Sequence, residues 1–199
     1  MRRHTVKAKR QFIDMVLIML EEGKSLREIN LRQIAKRIGC AHTNAYNYFE
    51  SYEQLIWYSL EEAQLRMLIG GGIKDPSHID YDTLPNIFES YIDFVIAHPA
   101  WYRLIWMDRL IGPPPLEIRG SLVLPGDILN RWMRERHPDS NQTVKKTGIL
   151  HSFLHGELSK YVTNRRLEEI SSYKEQLLED LRLLENLLFL KEAHITNLT

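Results

Sequence analysis

Apolar residues recur at steps of three and four from Ala8 through Phe12, Met15, Val16 and Met19 to Leu20, which is one stripe of an amphipathic helix. Gly23, a residue suited to the left-handed conformation that closes a helix, marks its predicted end. Asn30 predicts the N-cap of a short second helix in which Leu31, Ile34, Ala35 and Ile38 share a face, and Gly39 breaks it. The next segment, Ala41 to Tyr48, differs in kind. Only Ala45 and Tyr48 suit an inward face there, whereas His42, Thr43, Asn44 and Asn47 direct hydrogen-bonding groups outward, too many for an ordinary core helix. A longer helix after Ser51 places Leu55, Ile56, Ser59, Leu60, Ala63 and Met67 inside and stops at Gly70, Gly71 and Gly72.

From Gly70 to Thr83 the chain is rich in Gly, Pro and Asp and has no period, which predicts a loop. Leu84 to Ala97 and Pro99 to Ile111 read as two helices, with Pro99 at a first helical position. Gly112 and the three prolines after it end the second. Further helices are predicted at Asp127 to Arg136, Thr143 to Asn164 and Ile170 to Leu190. No strand-type alternation and no internal repeat interrupts them, so the predicted class is all-α.

Charge changes this picture. The formal net charge is zero, yet residues 1–49 hold ten Lys and Arg against four Asp and Glu, while residues 50–199 hold sixteen against twenty-two. A basic first quarter on an acidic remainder suggests that one end meets a polyanion, although a solvated face is the plainer alternative. Cys40 is the single cysteine, which excludes an internal disulfide framework and a multi-cysteine zinc site. No stretch approaches the roughly 18 apolar residues of a membrane helix, and the basic start lacks a cleavage site, so a cytoplasmic location is expected. No P-loop, dinucleotide fingerprint, nucleophile elbow or metalloprotease motif is present, and an enzyme is not expected.

Two short helices joined at Gly39, the second polar and set in the basic segment, have the dimensions of a helix-turn-helix DNA reader. Thr43, Asn44 and Asn47 suit contact with base edges, while Arg32, Lys36, Arg37 and Tyr46 suit phosphates, as does the arm Arg2, Arg3, Lys7, Lys9 and Arg10. Tyr46 has the alternative of padding the small core. Here the residues resemble TetR-type transcriptional regulators: Ile34 with Ala35 in the second helix, Gly39 at the turn, Tyr46 three residues before Phe49, and Ser51 with Leu55 at the next helix. The match spans about residues 8–55. The resemblance implies a DNA-binding domain over 1–52 and a helical effector-binding and dimerisation domain over 53–199. It implies DNA contacts from Arg32, Lys36, His42, Thr43, Asn44, Tyr46, Asn47, Tyr48 and Tyr52. Three departures stand out: Ala41 where the family usually has a capping Ser, Thr43 where Gly is frequent, and Tyr52 where Lys is usual. Cys40 replaces a small apolar residue and is expected to pack rather than to sense redox state.

The resemblance also implies a small-molecule effector, with Phe88, Tyr91, Trp101, Trp106, His151 and His155 as candidate contacts. His151 and His155 are four apart on a presumed helix, a spacing that lets two imidazoles share a metal, but no third ligand stands on that face, so no metal and no cofactor is expected. Nine apolar residues between Leu177 and Leu190 cover more than one stripe, which predicts a two-fold homodimer formed with the helix from Thr143 to Asn164. The expected function is a DNA-binding regulator, a repressor released from a palindromic operator. The alternative is a helical interaction module whose basic end binds an acidic protein partner.

Overall fold

Side-chain and glycine signals close the first elements as the sequence requires. The computed structural model describes residues 2–75, 78–164 and 170–189. Helix α1 (Arg2–Glu21) buries Phe12, Val16, Leu17 and Met19, and its last carbonyls accept from Gly23 and Lys24 N–H, with Gly23 at φ 87°. Asn30 Oδ1 accepts from Gln33 N–H at 3.1 Å to start α2 (Leu31–Ile38). Gly39, left-handed at φ 80°, ends it while its own N–H and that of Cys40 both bond Ala35 O. A side chain at Gly39 would be strained by the backbone alone. After α2 comes a 3-10 turn at His42–Asn47, then α3 (Tyr52–Gly70). All six expected inward residues of α3 are buried.

The remaining helices are α4 (Ile87–Ala97), α5 (Pro99–Trp106), α6 (Arg119–Arg136), α7 (Thr143–Val162) and α8 (Ile170–Phe189). Several boundaries differ from expectation. Asn86 Oδ1 caps α4 through Phe88 N–H at 3.0 Å, so the helix begins after Asn86 rather than at Leu84. Helix α5 ends five residues before Ile111, where Arg103 O accepts from both Met107 and Asp108 N–H. Helix α6 starts eight residues before Asp127 and carries Pro125 inside it; Pro and Gly at 125 and 126 hid its first two turns. The predicted end of α8 at Leu190 lies outside the described residues.

The helices pack into two units, and among the described residues the structure is all-helical, with no strand. The first unit comprises Met1–Leu68 and His98–Val123. In it α1 packs on α2 and α5, and Phe12, Ile34, Ala45, Phe49 and Leu55 are buried. The second comprises Ile69–Ala97 and Leu124–Thr199. There α4, α7 and α8 pack on one another, with Leu150, Leu154, Leu158 and Leu177 in the core.

Candidate nucleic-acid interface and effector residues

The segment Ala41 to Tyr48 is helical but not α-helical. Asn44 N–H bonds Ala41 O and Tyr48 N–H bonds Ala45 O, each at 3.0 Å, in the tighter three-residue repeat. His, Thr and Asn are weak helix formers, and Ala41 offers no side-chain cap, so little favours the α form over a short 3-10 turn. The three-residue repeat aligns i with i+3. Asn44 and Asn47 therefore form one ridge, Thr43 and Tyr46 a second, and Ala45 lies on the third with Tyr48. The third ridge is the anchor: Ala45 and Phe49 are buried, and the half-buried Tyr48 ring lies 6.1 Å from that of Phe12. His42, Thr43, Asn44, Tyr46 and Asn47 are all exposed.

The expected cations differ in their surroundings. Arg32 and Lys36, four apart on α2, are exposed. Arg37 is paired with Glu22 at 2.6 Å, and Arg10 with Glu62 at 3.0 Å. Lys9 Nζ sits 3.3 Å from the centre of the Tyr58 ring, where burial lowers its pKa against the opposing pull of Glu61 and Glu117. Tyr58 OH in turn donates to Glu117 at 2.5 Å. The side chains of Arg2 and Arg3 lie outside the described residues. Tyr52, expected to reach a phosphate, is half-buried and donates its hydroxyl to Leu26 O at 3.2 Å; burial lifts the phenol to about 12. These partners lie 15, 26 and 52 positions away, beyond any spacing rule.

The expected effector residues divide between the two units. Trp101 is buried in the first, donating its indole N–H to Leu17 O at 3.2 Å with its ring stacked on His98. Trp106, in the same unit, is half-exposed. Phe88 is buried in the second unit, edge-on to Trp132. There Tyr91 of α4 meets His155 of α7, which in turn meets His151: Tyr91 Oη is 3.4 Å from His155 Nε2, which is 2.9 Å from His151 Nε2. Burial pushes both imidazoles below the usual histidine range, and the neighbouring His151 adds to the effect on His155, which falls to about 3. Two open hollows in the second unit, of about 600 Å³ beside His137 and Thr143 and about 260 Å³ beside Tyr81 and Trp132, include none of the expected effector residues. No group of three His, Cys, Asp or Glu gathers among the described residues, and no described helix is long and apolar enough to cross a membrane.

No family model and no curated protein matches the chain in sequence. Solved structures do match in fold. A candidate regulatory protein, SCO4313, superposes with a TM-score of 0.69 at 17% identity, covering 91% of this chain and 98% of that one. A protein of unknown function from Rhodococcus sp. RHA1 gives 0.71 at 14% identity, with 91% and 95% covered. A TetR transcriptional regulator from the same organism gives 0.58 at 15% identity, with both chains fully covered. The chain thus shares the all-helical fold of TetR-type transcriptional regulators.

Proposed function

We propose that this protein is a DNA-binding transcriptional regulator that reads a palindromic duplex as a homodimer, with residues 1–52 on DNA and 53–199 serving dimerisation and effector control. The observation that carries the reading is the 3-10 turn, which holds two polar ridges in solvent by burying Ala45 and Phe49 beneath them. A ridge of two asparagines suits adenine edges, since an Asn amide can both donate to and accept from that base in the major groove. Arg32 and Lys36 add positive charge one element earlier, suited to phosphates that fix register. His42, Thr43 and Tyr46 complete the proposed contact set, and Tyr48 contributes from the anchor side. Dimerisation is supported by the apolar residues that α7 and α8 leave exposed, Val144, Ile149, Leu183 and Leu187. On α7 a Cβ at Gly148 or Gly156 would meet only open space, so nothing within the subunit requires glycine there and a partner helix could approach closely. Repression, with release by an effector bound in the second unit, completes the proposal.

Selection of bound sequences from a random duplex pool tests it. The expected result is an inverted-repeat consensus, with binding that weakens as salt rises. Asn44→Ala and Asn47→Ala should each relax one or two base positions, at about 1–3 kcal/mol per lost contact. A pool that yields no consensus, or variants with unchanged preference, would overturn the reading and leave the basic end to an acidic protein partner.

A further inference from the structure

Tyr91, His151 and His155 converge from two helices on one small volume. The two Nε2 atoms lie 2.9 Å apart, and only one of them can hold a proton directed at the other, so the contact is a single hydrogen bond between two nitrogens that both face the same point. Metal–imidazole bonds are about 2.0–2.1 Å long, so two nitrogens at this separation subtend about 90° at an ion bound equally to both. That is the cis angle of a tetragonal or octahedral centre. A tetrahedral ion would hold the same nitrogens about 3.4 Å apart. A third donor, missing from the i, i+4 face of α7, comes from α4: Tyr91 Oη stands 3.4 Å from His155 Nε2, with the two rings edge to face. All three side chains are half-buried, which lets an ion reach them while limiting competition from water.

We propose that Tyr91, His151 and His155 bind one divalent transition-metal ion, of which copper(II) suits the site best. The two imidazoles stand at a cis angle with a phenol oxygen beside them, a donor set that tetragonal copper(II) prefers, and Tyr91 Oη, 3.4 Å from His155 Nε2, would close by about 0.5 Å to stand cis as well. Binding uses the lone pair on each Nε2, so the proton between them moves to Nδ1 of its own ring without net release. Coordination by Tyr91 as phenolate releases one proton to solvent. The inference does not depend on DNA binding, because all three donors belong to the second unit and their chemistry would hold in a protein that never met a duplex.

The full chain titrated with copper(II) and read by electron paramagnetic resonance tests the site. The expected spectrum is tetragonal, with splitting from two equivalent nitrogens. The double variant His151→Ala/His155→Ala should bind one ion fewer per chain and lose that splitting. His155→Ala alone should weaken binding by more than the about 10- to 100-fold that removal of an outer-shell partner costs. Tyr91→Phe should keep the two-nitrogen splitting and lose both the released proton and the phenolate-to-copper absorption band. Far-UV circular dichroism confirms that each variant is folded, and the spectrum of the unaltered chain is decisive by itself. A wild-type spectrum without two-nitrogen splitting, or a double variant with unchanged stoichiometry and spectrum, would overturn the proposal. An unchanged Tyr91→Phe would remove the phenol from the ligand set and with it the three-donor site.

Discussion

The 3-10 turn at His42–Asn47 and the cluster of Tyr91, His151 and His155 are both polar groups set on a helical scaffold, but they are assembled in opposite ways. The turn is made of six consecutive residues, and its exposed face follows from which of them are small and polar. The cluster joins residues 64 positions apart, and its chemistry exists only because α4 and α7 pack together. A surface written in consecutive residues depends on its local anchor. One written across helices depends on their packing, and each should fail by its own route.

The largest expected effect is on the anchor of the turn. Phe49 is buried and touches the rings of Phe12, Tyr48 and Tyr58, so Phe49→Ala should cost about 3–5 kcal/mol of stability. Urea denaturation would measure this loss, and sequence-selective duplex binding should fall with it. Copper uptake, measured below the new transition, should keep its two-nitrogen signature. If the copper signal vanished under conditions where the chain remains folded, the two surfaces would share one determinant and the contrast would be broken.

What could be read in the sequence follows the same division. The stripe from Phe12 to Leu20, the cap at Asn30, the turn at Gly39 and the inward face of α3 are signals carried within a few residues, and the structure realises them. The tertiary commitments of Arg10, Arg37 and Tyr52 were illegible, because side-chain type gives no notice of a partner on another element. The pairing of His151 with His155 was visible as spacing, while Tyr91 as third donor was not. Local weakness was partly visible too. Ala41 announces a missing cap, but whether the segment would stay α-helical or tighten depended on the low propensity of the residues after it.

That missing cap gives a smaller, opposite test. Ala41→Ser supplies an oxygen that can accept from a backbone N–H at the start of the turn, a change typically worth about 1 kcal/mol. Calorimetry should show a higher melting temperature, and duplex affinity should rise if ordering the turn is part of the cost of binding. A stabilised chain with unchanged affinity would show that the 3-10 turn is already as ordered as the complex requires.

An effect of similar size separates a packing role from a contact role at Tyr52. The hydroxyl donates to Leu26 O from a half-buried position, so it belongs to the fold of the first unit before any phosphate approaches. Tyr52→Phe removes that hydrogen bond and should lower stability by about 0.5–1.5 kcal/mol. Leu26 O would then be left to solvent. Because no base is addressed, the selected duplex sequence should stay the same, and at a temperature where both chains are fully folded the affinity should change little. A phosphate contact predicts the reverse: stability nearly unaltered, affinity reduced about equally for all sequences, and a shallower dependence of binding on salt only if the lost contact had also displaced a counterion. Paired melting and salt-titration measurements on this one variant therefore decide whether Tyr52 belongs with the reading surface or with the core beneath it.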